Sequence, residues 1–182
     1  MLFRSPRYGA AITSGAGHTC RLLAEQLATR HDVEVLTTTA LDDTRRRSEG
    51  QEGSDCVRGV LVRRFAVSAA HERESVAEHT ERLLRGPRSR TDELEWVRHV
   101  GPQSPGVIEH LKRQHRTYDA IVFVGLCHWT TVHGVEIAPE RSIVLPYLQL
   151  QPTLRFGLWT HVLSTARAVG LMAPVERVLL RK

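Results

Sequence analysis

The run Ala120-Ile121-Val122-Phe123-Val124-Gly125 constrains the fold more than any other segment. It is apolar without alternation, and Ile121 to Val124 are all β-branched or aromatic. A strand with one wet face would alternate. This one predicts burial on both faces, the condition of a central strand in a parallel sheet. Ser142-Ile143-Val144-Leu145-Pro146 predicts a second such strand, and Ala168-Val169-Gly170-Leu171-Met172 a third. Parallel neighbours need crossover connections, usually helices.

The remaining segments supply them. Leu2-Phe3 starts a first strand. From His18 to Arg30, Leu23 with Leu27 and Ala24 with Ala28 share one helical face. Val33 to Thr38 follows as a strand, and residues 40–57 predict a polar loop. Gly59 to Val67 predicts a strand with a register change near Arg63-Arg64. Glu72 to Leu84 and Asp92 to His99 predict helices divided by Gly86-Pro87. Ser104 as N-cap and Pro105 in the first turn open another, with Val107, Ile108 and Leu111 on its apolar face. A last helix is expected from Pro174 to Lys182. The expected fold class is α/β: a Rossmann-like, doubly wound, mostly parallel sheet of about six strands, helices on both faces, in one domain over 1–182.

Composition narrows the function classes. No apolar run approaches the ~20 residues that span a bilayer, so no transmembrane segment is expected. Met1 to Pro6 is too short and polar for a signal peptide, which predicts a cytoplasmic protein. The formal charge of +5 is carried almost wholly by arginine, Lys112 and Lys182 being the only lysines. Such a surface attracts phosphates and leaves peripheral membrane contact open. No basic stripe interleaved with aromatics is present, so nucleic acid is not an expected partner. Cys20, Cys56 and Cys127 are odd in number and form no CxxC pair, which predicts free thiols. Neither a cofactor nor a metal is expected.

Ser14-Gly15-Ala16-Gly17 precedes the first helix. Backbone N–H groups at a helix start, with no Cβ in the way, suit an anionic or hydroxyl-rich ligand. Gly15, Ala16, Gly17 and His18 are therefore candidate binding residues, with purely structural glycines as the competing reading. A nicotinamide site is disfavoured. Cys20 occupies the third position of GxGxxG, and Thr37-Thr38-Thr39 stands where an acidic ribose ligand is expected. His128, after the central strand, either meets a substrate as contact, acid or base, or is a structural histidine. Gln149 and Gln151, after the next strand, can donate and accept hydrogen bonds as sugar or alcohol recognition requires. Leu154, Phe156, Leu158, Trp159, Val162 and Leu163 read mainly as core.

The order of these segments resembles a family. Pro6-Arg7-Tyr8-Gly9, Ser14-Gly15-Ala16-Gly17, His31 to Thr38, Gly59-Val60-Leu61-Val62-Arg63-Arg64-Phe65 and Gly101 to Pro105 are similar to the N-terminal half of GT-B glycosyltransferases of the family-4-like kind. Asp119 to Gly125 and Pro139-Glu140-Arg141 fit as well, so the resemblance covers essentially the whole chain. It implies the acceptor-side domain of a transferase that uses a nucleotide-sugar donor and an acceptor. Its donor-binding domain would come from a partner chain, or 1–182 would be a truncated domain, inactive or weakly active by itself. The chain departs from the family pattern in three places. Gly17 replaces the glutamate of Gly-Gly-Ala-Glu, Ala11 stands for an acidic residue, and Gln149-Leu150 for His-Asp. A non-catalytic binding module derived from such a domain is the alternative.

Overall fold

A computed structural model describes residues 1–9, 14–40, 51–68 and 75–180 of this protein. The Ala11 position and the Arg45-Arg46-Arg47 run lie outside the described residues. Seven strands form one sheet in the order β3-β4-β2-β1-β5-β6-β7. They are β1 (Leu2–Arg4), β2 (Glu34–Thr38), β3 (Gly53–Val57), β4 (Val60–Phe65), β5 (Ile121–Val124), β6 (Ser142–Leu145) and β7 (Ala168–Val169). All pairings are parallel except β3 with β4. Without the antiparallel β3, the parallel strands run 3-2-1-4-5-6 in chain order, the doubly wound Rossmann-like arrangement.

Helices cover both faces. On one side α1 (Gly15–Ala28) buries Gly17, Cys20 and Ala24 against Phe3, Val35, Val62 and Val122. The spacing of those three, with Leu23 and Leu27 at the flanks, is that of an amphipathic helix. The other side carries α3 (Arg90–Val100), α4 (Pro105–Gln114), α5 (Trp129–Val135) and α6 (Leu158–Thr165), whose Val97, Leu111, Val135 and Trp159 pack with Leu2, Leu36 and Phe123. Strand residues therefore alternate between two cores: Leu2 faces the larger, Phe3 faces α1. Every residue of β5 is buried, as the unbroken apolar run requires.

Four expectations need correction. The polar stretch 40–57 contains β3, an exposed edge strand. Its residues Gly-Ser-Asp-Cys-Val carry no apolar alternation; the first four are exposed and only Val57 packs against the core. The turn that pairs it with β4 is Arg58-Gly59, with φ of 50° and 83°. Positive φ at both turn positions matches the twist of a tight hairpin, and glycine takes the second at little cost. β4 itself has no register change: Leu61 to Phe65 pair without a break with Glu34 to Thr38. Its arginines are accommodated by carboxylates, Arg63 by Glu34 and Arg64 by Asp55. The third apolar run yields only the two exposed residues of β7, an edge strand and not a central one. Ser104 occupies the N-cap position of α4 but does not cap; its hydroxyl donates to the Ala66 carbonyl at 2.8 Å.

α2 (Val76–Arg85) and α3 each begin with a serine capping box, at Ser75 with Glu78 and Ser89 with Asp92. The short α7 (Pro174–Leu179) returns to the sheet edge. No helix among the described residues is long and apolar enough to cross a membrane.

Candidate functional site

Strand order reverses between β1 and β5, so the crevice of the sheet opens at their carboxyl ends. Chain segments following β1, β5 and β6 meet there. The Gly125 N–H donates to the Leu145 carbonyl at 2.9 Å, and the Leu126 N–H to Pro146 at 3.0 Å. These bonds carry the ladder one step past the strands and fix the loops side by side.

Gly15 is the first residue of α1 and is exposed. A Cβ placed on it would overlap the hydroxyl of Tyr147. Tyr147, the second residue after β6, has φ of 51°. That conformation costs a non-glycine residue about 1–3 kcal/mol and is held only when the surroundings enforce it. The enforcement is visible. The next residue, Leu148, donates its N–H at 2.6 Å to the buried Glu176 carboxylate, which also accepts from Met172 at 2.5 Å and Ala173 at 3.2 Å. α7 thus staples the loop so that the tyrosine hydroxyl rests over the start of α1. The N–H groups of Gly15 and Ala16 have no acceptor among the described residues. The Gly17 N–H is already used, donating to Ser14 Oγ at 3.4 Å. Ala16 leans on the α1-side core, and His18 is exposed, with Nδ1 3.3 Å from Arg21 Nη2.

His128 stands at the N-cap position of α5 without capping it. Gly125, at φ of 90°, is where its ring lies: a Cβ there would come within 2.5 Å of Nε2. Burial first, then the charges of Arg4 and Arg7, push the imidazole down to about 3. The ring is neutral at pH 7, so no imidazolium is available there as a general acid. Cys127 is equally unreactive, since burial pushes its thiol up to about 12. The same holds for Cys20, also at about 12. None of the three cysteines is in a disulfide.

Gln149 and Gln151 are both exposed. Gln151 directs Nε2 toward Cys127 Sγ at 3.6 Å and also lines a groove of about 490 Å³ with Leu150, Leu154 and Leu179. The structure therefore joins Gln151 to the loop of His128, and Gly15 to Tyr147. Among the described residues it shows no hydrogen bond from His18 or Gln149 to either pair. Tyr147 was missed by sequence reasoning, although the aromatic directly after Pro146 at a strand end was a usable signal. Arg4 was missed as well, because a single arginine inside a strand stub has no local signature. Among the described residues no cluster of three metal-ligating side chains exists.

The buried imidazole makes a pH prediction. Its folded value, about 3, lies below the ordinary value of 6.5, so the unfolded chain binds the proton more readily. His128 contributes its full stability above about pH 6.5 and loses it progressively as pH falls toward 3. The slope from this group is at most about 1.4 kcal/mol per pH unit. Burial also lowers His110 and His133, which steepens the same decline. Urea denaturation from pH 7 to pH 4 should show a shallower loss for His128→Gln than for the parent. Identical pH dependence would mean that His128 is solvated.

Comparisons of the chain with protein-family models, with curated proteins and with solved structures found no match.

Proposed function

We propose that this chain is the acceptor-side half of a nucleotide-sugar-dependent glycosyltransferase, a GT-B-type domain that works with a separate donor-binding domain. The observation that carries the reading is the start of α1 beneath the Tyr147 hydroxyl. Two N–H groups without an acceptor among the described residues and one hydroxyl lie close together there, at the carboxyl edge of a doubly wound sheet. Such a corner suits phosphate or sugar oxygens, because the helix start supplies donors and a partial positive charge. α1 has no acidic residue in its first turn to compete with an anion.

Sugar transfer requires stabilisation of a departing diphosphate and an acceptor hydroxyl held in line with the sugar carbon. This crevice offers one wall for that task, with Gln151 and His128 on the side toward β5. A second domain facing it would complete the cleft and exclude water. A non-catalytic binding module is favoured by one specific observation: His128, the titratable side chain on the β5 side of the crevice, is held neutral far below its ordinary value. A domain in that state binds without moving protons.

Calorimetric titration of 1–182 with UDP-, GDP-, ADP- and dTDP-sugars, with and without a candidate donor-domain chain, separates the readings. The expected result is weak or no turnover by the chain alone and transfer when it is paired. Turnover by 1–182 alone would refute the half-cleft. Binding without transfer in the pair would establish the module.

A further inference from the structure

The face of the sheet opposite α1 carries a second feature that this reading does not use. Arg4, the last residue of β1, is completely buried. It points away from α1: Leu2, on the same face of the strand, belongs to the larger core, and Arg4 Nη1 donates to Thr131 Oγ1 of α5 at 3.2 Å. Thr131 in turn donates to the Gly125 carbonyl at 2.8 Å, so the guanidinium is fixed at the point where strand order reverses. Its Nε and Nη2 have no hydrogen-bond partner among the described residues. Those two N–H groups form one edge of the planar guanidinium, the fork that meets two oxygens of a single oxyanion.

Among the described residues no carboxylate answers this charge. The one neighbour that favours the ionised guanidinium is the Cys20 thiol, which burial keeps protonated at neutral pH. The adjacent His128 senses the positive charges of both Arg4 and Arg7, and its own Nδ1 is buried without a partner. A buried guanidinium with two unsatisfied donors and no counter-ion is strongly unfavourable unless something satisfies it.

We propose that Arg4 is the floor of an anion site at the β1/β5 switch point that takes a phosphoryl group, held by the Nε/Nη2 edge with His128 beside it. The site is distinct from the start of α1 and does not require that the chain transfer sugars. Because Arg4 is closed to solvent, the anion enters through a local opening of the carboxyl edge.

The test is thermal unfolding of the full chain in inorganic phosphate and in pyrophosphate, against chloride at equal ionic strength. Either phosphate probe should raise Tm saturably, by about 5 °C at a hundredfold excess over its Kd. Chloride should not. Arg4→Met should abolish the saturable shift and leave Tm in chloride equal to or above that of the parent, since a buried unpaired charge has been replaced by an apolar chain of similar length. Arg4→Lys, which keeps the charge and loses the fork, should weaken phosphate at least tenfold. A phosphate shift that is equal in parent and Arg4→Met overturns the proposal, as does a lower Tm of Arg4→Met in chloride. A saturable shift with acetate and none with phosphate overturns the phosphoryl assignment. A phosphate shift that is equal in parent and Arg4→Lys overturns the proposal as well. Failure of every nucleotide sugar to bind would sink the transferase reading and leave this result standing.

Discussion

Gly15→Val should weaken binding of the nucleotide sugar that titrates the chain by at least tenfold, about 1.4 kcal/mol, while Tm moves by no more than a few degrees. The difference follows from what the new side chain meets. A Cβ at Gly15 overlaps the Tyr147 hydroxyl, and the three nearest atoms it meets all belong to that side chain. That hydroxyl is the far end of a side chain and can swing aside, so the fold loses little. The corner above α1 loses its shape, because valine fills it and the tyrosine leaves it. Gly15 is exposed and its φ is not positive, so valine brings no backbone strain. Tyr147→Phe should reproduce part of the loss with Gly15 intact, by removing the hydroxyl and keeping the ring. Equal losses of affinity and stability in Gly15→Val, by calorimetry and by melting, would make the glycine structural and remove the main support for a binding corner.

Glu93→Leu should destabilise the domain by about 3–5 kcal/mol, the range for breaking a buried ion pair on one side. For a chain of this size that is a fall in Tm of about 10 °C. Glu93 lies in the first turn of α3 and is nearly closed to solvent. Its carboxylate accepts from Arg88 Nε at 2.9 Å, from the Gly157 N–H at 3.0 Å and from the Leu158 N–H at 2.7 Å. The last two are orphan donors at the start of α6, which has no side-chain cap of its own. One carboxylate therefore caps a helix distant in sequence and neutralises an arginine. Arg88 also donates to the Arg155 carbonyl and lies 5.0 Å from the centre of the Phe156 ring, which meets Trp96 edge-on. Leucine would leave the arginine and both N–H groups unsatisfied at the seam between α3 and α6. Arg88→Met keeps the cap and should cost visibly less. A Glu93→Leu loss below about 1 kcal/mol would show that water replaces the carboxylate at this seam.

The layered architecture was legible in the sequence because it follows from short-range periodicity. Unbroken apolar runs at 120–125 and 142–146 could only be strands covered on both faces, and the spacing in α1 and α4 marked helices with one wet side. Parallel strands joined by helices then lead to a doubly wound sheet, since right-handed crossovers leave few other topologies. Edges were not legible. β3 has no apolar face to announce it, and β7 is too short to stand out from its flanks.

Of the candidate site, the amino-acid chain indicated only the edge to consider: the glycines opening α1 and the residues following β5 and β6. Which side chains reach that edge was decided by tertiary structure. Tyr147 covers Gly15 because Glu176, on the last helix, holds the tyrosine's loop in a strained turn. Arg4 is sealed and half-satisfied because Thr131, 127 positions away, takes one of its nitrogens and none of the described residues takes the other edge. Glu93 caps α6 across 65 positions. Each depends on long-range packing between elements, and periodicity within a segment carries no record of the partner it will meet.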